Sequence, residues 1–403
     1  VEDPAAADRH SLTVLGRRID LGPTGLPEQI HSYFTPELTH LAETPEPILA
    51  RPVELRVRVD EGESRPGGGA GFESGTQEAG NPSPDDPVAF QSAPYPITRE
   101  ARGLATWTVE SETEVLAMTV HGRLEYDGML DYRIMLVARE EVSVADIALP
   151  VSYRADAAEY MLGLGRKGGE RPPRVDWKWA VENHQEGVWM GAVHKGLQYV
   201  LRDENYVRPL NTNFYRNQPL NLPPSWFNGG RGGIRIVEEE GGVGAPEAQG
   251  DMAGPGEGGE IGSGGEPRLE KTITAVTAHN SSGPRTLAAG DTLHFNVRFL
   301  ITPFKPMDTV THFNTRFVHQ YVPVDSVVAS GGTVVNLHHA NEINPYINYP
   351  FFNLDLQSAY IDEAHEKGVK VKLYNTIREL SYRAHELFAL RSLGDEILND
   401  GEG

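Results

Sequence analysis

Two stretches near the end of the chain place polar and aromatic side chains directly after short apolar runs. They are GGTVVNLHH at 331 to 339 and KVKLYNTIRELS at 370 to 381, and each predicts a strand followed by a polar turn and a helix. Imidazole, amide, phenol and guanidinium groups at strand ends can hydrogen-bond to a ligand. We therefore predict a substrate-binding site formed by His338, His339, Asn341, Tyr374, Asn375, Arg378 and Glu379.

The two adjacent histidines of this set have a structural alternative. His338 and His339 are neighbours at a predicted strand end, so their side chains are expected to point to opposite faces. One of them can face a ligand, or both can make ordinary hydrogen bonds at the strand end, and the sequence leaves both interpretations open.

Glu379 also has a structural alternative. Thr376 to Glu379 (TIRE) has the spacing of a capping box, in which threonine and glutamate side chains bond to each other's backbone amides at a helix start. Capping is therefore the favoured role of Glu379, and Arg378 and Tyr374 are the better candidates for substrate contact.

The sequence lacks the spacing of a metal site. His365-Glu366 and His385-Glu386 begin like the zinc motif HExxH, but its second histidine would fall on Val369 and Ala389. There is no cysteine, which excludes disulfides and thiolate ligands. We therefore predict no metal and no cofactor.

A glycine motif at 163 to 168, GLGRKG, matches the dinucleotide fingerprint GxGxxG. That fingerprint requires a helix directly after it, whereas Gly169, Pro172 and Pro173 follow here. A glycine-rich loop is the better interpretation, and a nucleotide-dependent enzyme remains a minor alternative.

The elements around the two strand ends predict a parallel α/β unit. The strands are placed at Thr333 to Leu337 and at Val369 to Leu373. In the second strand, lysine alternates with apolar residues. The lysine side chains either extend past the outer helices or face a polar interior. Gly368 ends the first helix. The apolar stripe of that helix is Leu356, Tyr360 and Ala364, and the stripe of the second helix is Leu380, Ala384, Leu387, Leu390, Leu393 and Ile397. Two such units in succession imply parallel strands.

Everything before these units predicts antiparallel β-structure. Short runs such as ATWTVES and LDYRIMLVA alternate with turn signals, and Asp127-Gly128 is typical of a hairpin. The segments 61 to 87 and 238 to 268 are rich in Gly, Pro and acidic residues, and we interpret them as mobile insertions. The expected organisation is a β-sandwich at 1 to 302, a connector at 303 to 330 and an α/β unit at 331 to 403.

The five tryptophans allow two interpretations. Four of them fall in an aromatic-rich stretch from Tyr160 to Ile236. Aromatic rings can stack on the C–H faces of sugars, but rings in a β-sandwich are more often core or interface residues.

The overall charge narrows the class of partner. The chain has 36 Lys and Arg against 57 Asp and Glu, giving a net charge of −21. This disfavours nucleic acid and anionic membranes as partners. No apolar run approaches the roughly 20 residues of a membrane-spanning helix. A neutral substrate fits this charge better, and the charge leaves the oligomeric state undetermined.

Several long motifs resemble one enzyme family, the bacterial glycoside hydrolases related to family 123. The resemblance spans roughly residue 90 to the end. It is carried by GLGRKGG (163 to 169), WKW (177 to 179), GVWMGAVHKGLQYVL (187 to 201), LPPSWFNGGRGGIRI (222 to 236), FLITPFKPMD (299 to 308), NPYINYPF (344 to 351), YNTIRELS (374 to 381) and ELFALRSLGDEIL (386 to 398).

The resemblance implies a β-sandwich followed by the first βα units of a (β/α)8 TIM-type barrel, truncated in this chain. It also implies a carbohydrate substrate, a β-linked N-acetylgalactosaminide or a related glycan. In the implied retaining mechanism the substrate's 2-acetamido oxygen attacks the anomeric carbon, one acid orients that group, and a neighbouring acid protonates the leaving oxygen. A noncatalytic carbohydrate-binding or structural protein is the alternative.

One departure from the family pattern predicts that residues 1 to 403 are inactive alone. Relatives carry the two acids in a Gly-Leu-Tyr-Leu-Asp-Asp-like stretch on a later barrel strand, and this sequence has no such stretch. We therefore treat the chain as a fragment, and no catalytic residue can be assigned within it. We expect no release of the aryl group from an aryl β-N-acetylgalactosaminide in a chromogenic assay; measurable turnover would contradict this prediction.

Overall fold

The structure is a computed structural model that describes residues 10–60, 87–180, 187–204, 222–241, 272–376 and 380–393. The chain forms two compact units. Among the described residues, the first unit ends at Pro306 and the second begins at Met307.

The first unit is built almost entirely of strands. Within the described residues they are β1 (His10–Val14), β2 (Arg17–Leu21), β3 (Pro27–Phe34), β4 (Leu41–Pro47), β5 (Arg56–Val59), β6 (Gln91–Ser92), β7 (Ile97–Ala101), β8 (Leu104–Glu112), β9 (Leu116–Glu125), β10 (Met129–Ala138), β11 (Val142–Arg154), β12 (Tyr160–Gly163), β13 (Arg166–Glu170), β14 (Arg174–Lys178), β15 (Val188–Gly191), β16 (Gly196–Leu201), β17 (Gly233–Glu240), β18 (Ile273–Ser281), β19 (Arg285–Leu287), β20 (Thr292–His294) and β21 (Val297–Thr302). A short helix, α1 (Pro224–Phe227), and 3-10 turns at Ala155–Ala157 and Asn228–Gly230 complete it.

These strands form three antiparallel sheets around one core. Strands β1 to β4 pair in chain order. An eleven-stranded sheet runs β13-β12-β15-β16-β21-β10-β9-β8-β6 with β20 and β7 attached, and a six-stranded sheet runs β14-β17-β18-β11-β19 with β5 on β11. One continuous cluster of buried apolar side chains draws on all three sheets. The β-rich class predicted for this part of the chain is confirmed.

Two turn predictions are confirmed by the pairing of their strands. Asp127 and Gly128 lie in the turn between β9 and β10, where Gly128 has φ +86°. The glycine motif at 163 to 168 forms the β12–β13 hairpin, with Leu164 and Gly165 in the left-handed region. A pyrophosphate binds at the N-terminus of a helix, and this hairpin has no helix after the glycine motif. The prolines that follow the motif had predicted that no helix forms there.

The second predicted insertion begins too early. Residues 61 to 86 and 242 to 271 lie outside the described residues, but the acidic residues Glu238, Glu239 and Glu240 belong to β17 and pair with β18. Glu238 accepts a hydrogen bond from Arg171 at 2.7 Å, and Glu239 pairs with Arg51. These cations compensate the acidic run and allow it to continue as a strand.

The second unit has a three-stranded parallel sheet in the order β22-β23-β24. The predicted parallel pairing of two strand-helix units is confirmed. The connector assigned to 303 to 330 contains two helices and one further strand. The elements are α2 (Thr309–Asn314), β22 (Phe317–Val318), α3 (Val324–Ala329), β23 (Val334–Leu337), α4 (Leu354–Glu366), β24 (Lys370–Leu373) and α5 (Leu387–Arg391).

The first predicted helix is present as α4. Tyr360 and Ala364 are buried, and Gly368 follows the helix with φ +73°. Leu356, the third residue of the predicted stripe, is 55% exposed, and Gln357 is buried in its place.

The second predicted helix is wrong over its first turns. Residues 380 to 386 are not helical, and α5 spans only Leu387–Arg391; residues beyond 393 lie outside the described part. The amide of His385 donates to the Tyr349 hydroxyl at 3.3 Å, so it is not available for a helical bond to residue 381. Tertiary contacts override the apolar periodicity here.

Arg17 joins separate parts of the first unit. Its side chain is fully buried and donates from Nε to the carbonyl of Leu15 at 2.9 Å. Its Nη1 donates to the carbonyls of Asp127 and Ile301 at 2.8 and 3.0 Å, and its Nη2 donates to that of Phe304 at 3.1 Å. Burial lowers the pKa of Arg17 to about 10, so the guanidinium remains charged at neutral pH.

Replacing Arg17 with methionine is expected to destabilise the first unit. Several carbonyl groups would lose a charged donor, and each buried unpaired polar group costs about 1–3 kcal/mol. We expect the free energy of unfolding in urea to fall by about 3 kcal/mol or more. All five tryptophans lie in this unit, so their fluorescence reports its unfolding.

The matched control is Arg99→Met, because Arg99 is exposed on β7. Its substitution should change the unfolding free energy by less than about 0.5 kcal/mol. Equal effects of the two variants would contradict the role assigned to Arg17.

Candidate functional site

The register of the second sheet separates its two faces. Val318, Val335 and Val371 lie at matching positions on the three strands and pack against the apolar residues of α3 and α4. Residues at alternate positions face the other way. We call the face opposite α3 and α4 the helix-free face, with reference to these two helices, and it carries Phe317, Val334, Asn336, Lys370 and Lys372. The two lysines therefore lie opposite α3 and α4 and are exposed there, and their place in a polar barrel interior stays a prediction.

Three rings continue the helix-free face beyond the strand ends. His319, His338 and Tyr374 each stand two positions after a residue of that face. The His338 and Tyr374 rings stack, with centroids 4.2 Å apart and an interplanar angle of 22°. His319 lies 5.5 Å from His338 and 6.3 Å from Tyr374. The carboxyl ends of three successive parallel strands thus bring three polar rings together.

His339 joins this group and corrects one expectation. Its ring centroid lies 4.3 Å from that of His338, so the two side chains do not point to opposite faces. Strand β23 ends at Leu337, and Ala340 has φ +69°, so the alternation of an extended strand no longer applies there. We call His319, His338, His339 and Tyr374 the ring cluster.

His319 was missed in the sequence. It follows β22, a strand of two residues, which is too short to show an alternating pattern. The available signal was the local order of residues: an apolar strand end followed by a ring occurs at Val318-His319, Leu337-His338 and Leu373-Tyr374.

Asn341 holds its own loop. Its Nδ2 donates to the carbonyl of His338 at 2.7 Å, and its Oδ1 accepts from the amides of Ile343 and Asn344 at 3.1 and 2.9 Å. These bonds occupy the polar atoms that a ligand would use. Its assignment to substrate binding stays a prediction, and its geometry supports an indirect role through the position of His338.

The loop after β24 is tied to the loop after β23. The amide of Thr376 donates to Oδ1 of Asn348 at 2.7 Å, and Nδ2 of Asn348 donates back to the Thr376 carbonyl. The proposed capping box assigned that amide to Glu379, and the capping role stays a prediction. Arg378 and Glu379 themselves lie outside the described residues, whereas Asn375 is exposed directly after Tyr374.

A tyrosine and a glutamate pair beside the strand ends. The Tyr321 hydroxyl donates to Oε1 of Glu342 at 2.6 Å. This hydrogen bond to the carboxylate raises the pKa of Tyr321 to about 12, so the phenol stays protonated at neutral pH.

Within the described ranges, no group of three or more His, Asp or Glu side chains is placed to hold a metal ion. The ring cluster offers imidazole and phenol groups for hydrogen bonding instead. Among the helices of the same ranges, none is long and apolar enough to cross a membrane.

Two family models match the sequence. The model of the glycoside hydrolase 123 third domain matches residues 6–84 and 80–253, and that of the glycoside hydrolase 123 TIM-barrel domain matches residues 308–403. The first covers more than half of the chain, and the second includes the ring cluster. No curated protein matches the sequence.

Solved structures resemble the chain at low sequence identity. A galactose mutarotase related enzyme from Lactobacillus acidophilus is 7% identical, with a TM-score of 0.36 over 74% of this chain and 98% of that chain. A GalM/aldose epimerase homologue from C. elegans is 8% identical, with a TM-score of 0.38 over 74% and 99%. A heparan sulfate lyase HepC mutant from Pedobacter heparinus is 7% identical, with a TM-score of 0.26 over 53% and 22%. Similarity at this level carries no functional argument.

Two asparagines of the predicted site should respond differently to substitution. Asn341→Ala removes three hydrogen bonds inside the loop, and we expect a local loss of about 1–2 kcal/mol. Faster amide hydrogen exchange at Ile343 and Asn344 would report it. Asn375→Ala, at an exposed position, should leave those two amides unchanged; equal protection in both variants would contradict the loop-holding role.

Proposed function

Because the chain belongs to the glycoside hydrolase 123 family, we propose that its second unit binds a β-linked N-acetylgalactosaminide or a related glycan at the ring cluster. One observation carries this proposal: His319, His338 and Tyr374 meet at the carboxyl edge of three parallel strands. In barrel enzymes this edge is where substrates bind.

The ring cluster has the chemistry that a sugar requires. A pyranose presents C–H groups on its faces and hydroxyl groups around its rim. The stacked rings of His338 and Tyr374 supply a flat surface for the C–H groups. Imidazole nitrogens and the phenol can donate hydrogen bonds to the sugar hydroxyls or accept hydrogen bonds from them. No cofactor is needed for this recognition.

In this proposal the described strand ends bind and orient the sugar, and they do not supply the acid. The helix-free face carries lysine, asparagine, phenylalanine and valine on its strands, without a carboxylate at those positions. The nearby Glu342 is engaged by Tyr321. For a retaining, substrate-assisted reaction, the cluster would hold the ring so that the 2-acetamido oxygen reaches the anomeric carbon. Two acids elsewhere in the barrel would orient that group and protonate the leaving oxygen.

Hydrolysis kinetics test the proposal in a form of the protein that carries the family's acidic pair. We expect His338→Ala and Tyr374→Ala each to lower kcat/KM for an aryl β-N-acetylgalactosaminide by about 10- to 100-fold, because each removes a contact that orients the sugar.

Matched controls lie outside the cluster in the same unit. His365 is exposed on α4, and Tyr382 is 92% exposed. His365→Ala and Tyr382→Ala should leave kcat/KM within about twofold, a change of roughly 0.4 kcal/mol. Similar small effects in all four variants would rule out the ring cluster as the sugar site.

A further inference from the structure

We propose that the first unit carries a separate binding site for a short, uncharged oligosaccharide. The site is a cleft of about 840 Å³ at the hairpin ends of this unit, within the size range of small-molecule sites. We call it the hairpin-end cleft. Its walls include Leu15, Tyr126, Tyr160, Trp189, Val193 and Phe304.

Aromatic side chains are unusually exposed around the hairpin-end cleft. Tyr126 is 70% exposed and Tyr160 is 39% exposed. Trp189 is half-buried, whereas the other four tryptophans are core residues, namely Trp107, Trp177, Trp179 and Trp226. Of the two interpretations of the tryptophans, burial therefore holds for four, and stacking on a ligand is open to Trp189.

The indole of Trp189 is held with one face against its own hairpin. Its Nε1 donates to the Thr302 hydroxyl at 2.8 Å. A Cβ on Gly191 would lie 2.5 Å from the indole ring, and one on Gly196 would lie 2.9 Å away. The two glycines, which pair across β15 and β16, therefore make room for the ring on the strand backbone. The indole is therefore fixed in orientation, and it lines the cleft.

The cleft wall is also fixed before any ligand arrives. Arg17 bonds to the carbonyls of Leu15, Asp127 and Phe304, and all three residues line the cleft. One buried cation thus joins three separate wall segments. A site with fixed walls loses little conformational entropy on binding, which favours a weakly interacting ligand such as a sugar.

The charges of the cleft favour an uncharged ligand. The lining has one carboxylate, Asp127, and one ammonium group, Lys305, so its formal charges cancel. Oδ1 of Asp127 already accepts from the amide of Met129 at 3.0 Å. Aromatic faces with a few polar groups suit the C–H faces and hydroxyls of a neutral sugar. Membership of a glycoside hydrolase family makes glycans the expected ligands. The ring cluster plays no part in this argument.

Trp189 provides the measurement. Because it is the tryptophan that lines the cleft, a ligand there should change its emission and leave the four buried indoles unaffected. Titration of the whole 403-residue chain with neutral trisaccharides of N-acetylhexosamine, galactose and glucose should give a saturable fluorescence change for at least one series. Trp189→Phe should abolish the change.

A second variant tests the site by affinity. Tyr126→Ala should weaken binding of the same trisaccharide about tenfold, equivalent to ~1.4 kcal/mol, in isothermal titration calorimetry. Tyr382→Ala, which removes an exposed tyrosine of the second unit, should leave the affinity unchanged. Loss of the Trp189 fluorescence change tests the hairpin-end cleft alone, whereas the hydrolysis kinetics of the His338 and Tyr374 variants test the ring cluster, so failure of this proposal and failure of the ring cluster are distinguishable.

Three results would overturn the proposal. One is the absence of binding by every neutral trisaccharide at millimolar concentration. Another is equal or tighter binding of a sulfated trisaccharide, which would show that charge governs the site. The third is concentration-dependent self-association in sedimentation that Val193→Asp abolishes, because the cleft would then be an interface with a second copy of the chain.

Discussion

The arrangement of the hairpin ends in the first unit depends on the buried guanidinium of Arg17. Arg17 reaches carbonyl groups that lie 110, 284 and 287 positions away in the sequence, in the β9–β10 turn, at the end of β21 and just beyond it. A guanidinium can satisfy several acceptors at once because its donors form a fixed planar fork. These bonds offset the cost of burying the charge; burial lowers the pKa of Arg17 to about 10, and the group remains charged at neutral pH. The hairpin ends therefore keep a fixed arrangement, and the cleft they surround is preformed.

The second unit depends on a different constraint, the alternation of side chains along a strand. The helices α3 and α4 cover one face of the parallel sheet. Valines at matching positions on the strands pack between the sheet and these helices. The other face carries Asn336, Lys370 and Lys372 together with Phe317 and Val334. His319, His338 and Tyr374 each follow a residue of this face by two positions. Because neighbouring parallel strands are in register, the three side chains lie at the same edge of the sheet, the carboxyl edge. This geometry brings the ring cluster together without any bond between its members.

Local patterns predicted several elements but few of the contacts between them. The hairpin at Asp127-Gly128, the strands β23 and β24, and the end of α4 at Gly368 all follow from residue preferences that act over a few positions. The prediction of a helix from Leu380 was wrong over its first turns because the amide of His385 donates to the Tyr349 hydroxyl instead of to a carbonyl of the helix. Strand β22 was not predicted because a strand of two residues is too short to show an alternating pattern. His319, which follows it, was therefore not predicted as a site residue.

The sequence by itself determined the β-then-α/β order of the chain, its family membership, and the two strand ends that carry His338 and Tyr374. These follow from short-range periodicity, turn chemistry and long motifs, which need no knowledge of distant neighbours. Only the tertiary structure decided that His319 meets those rings, that His339 lies beside His338, and that Trp189 lines the hairpin-end cleft. The physical reason is that exposure and contact depend on which distant segments pack together. That packing is set by register, by the faces that helices cover, and by single buried groups such as Arg17.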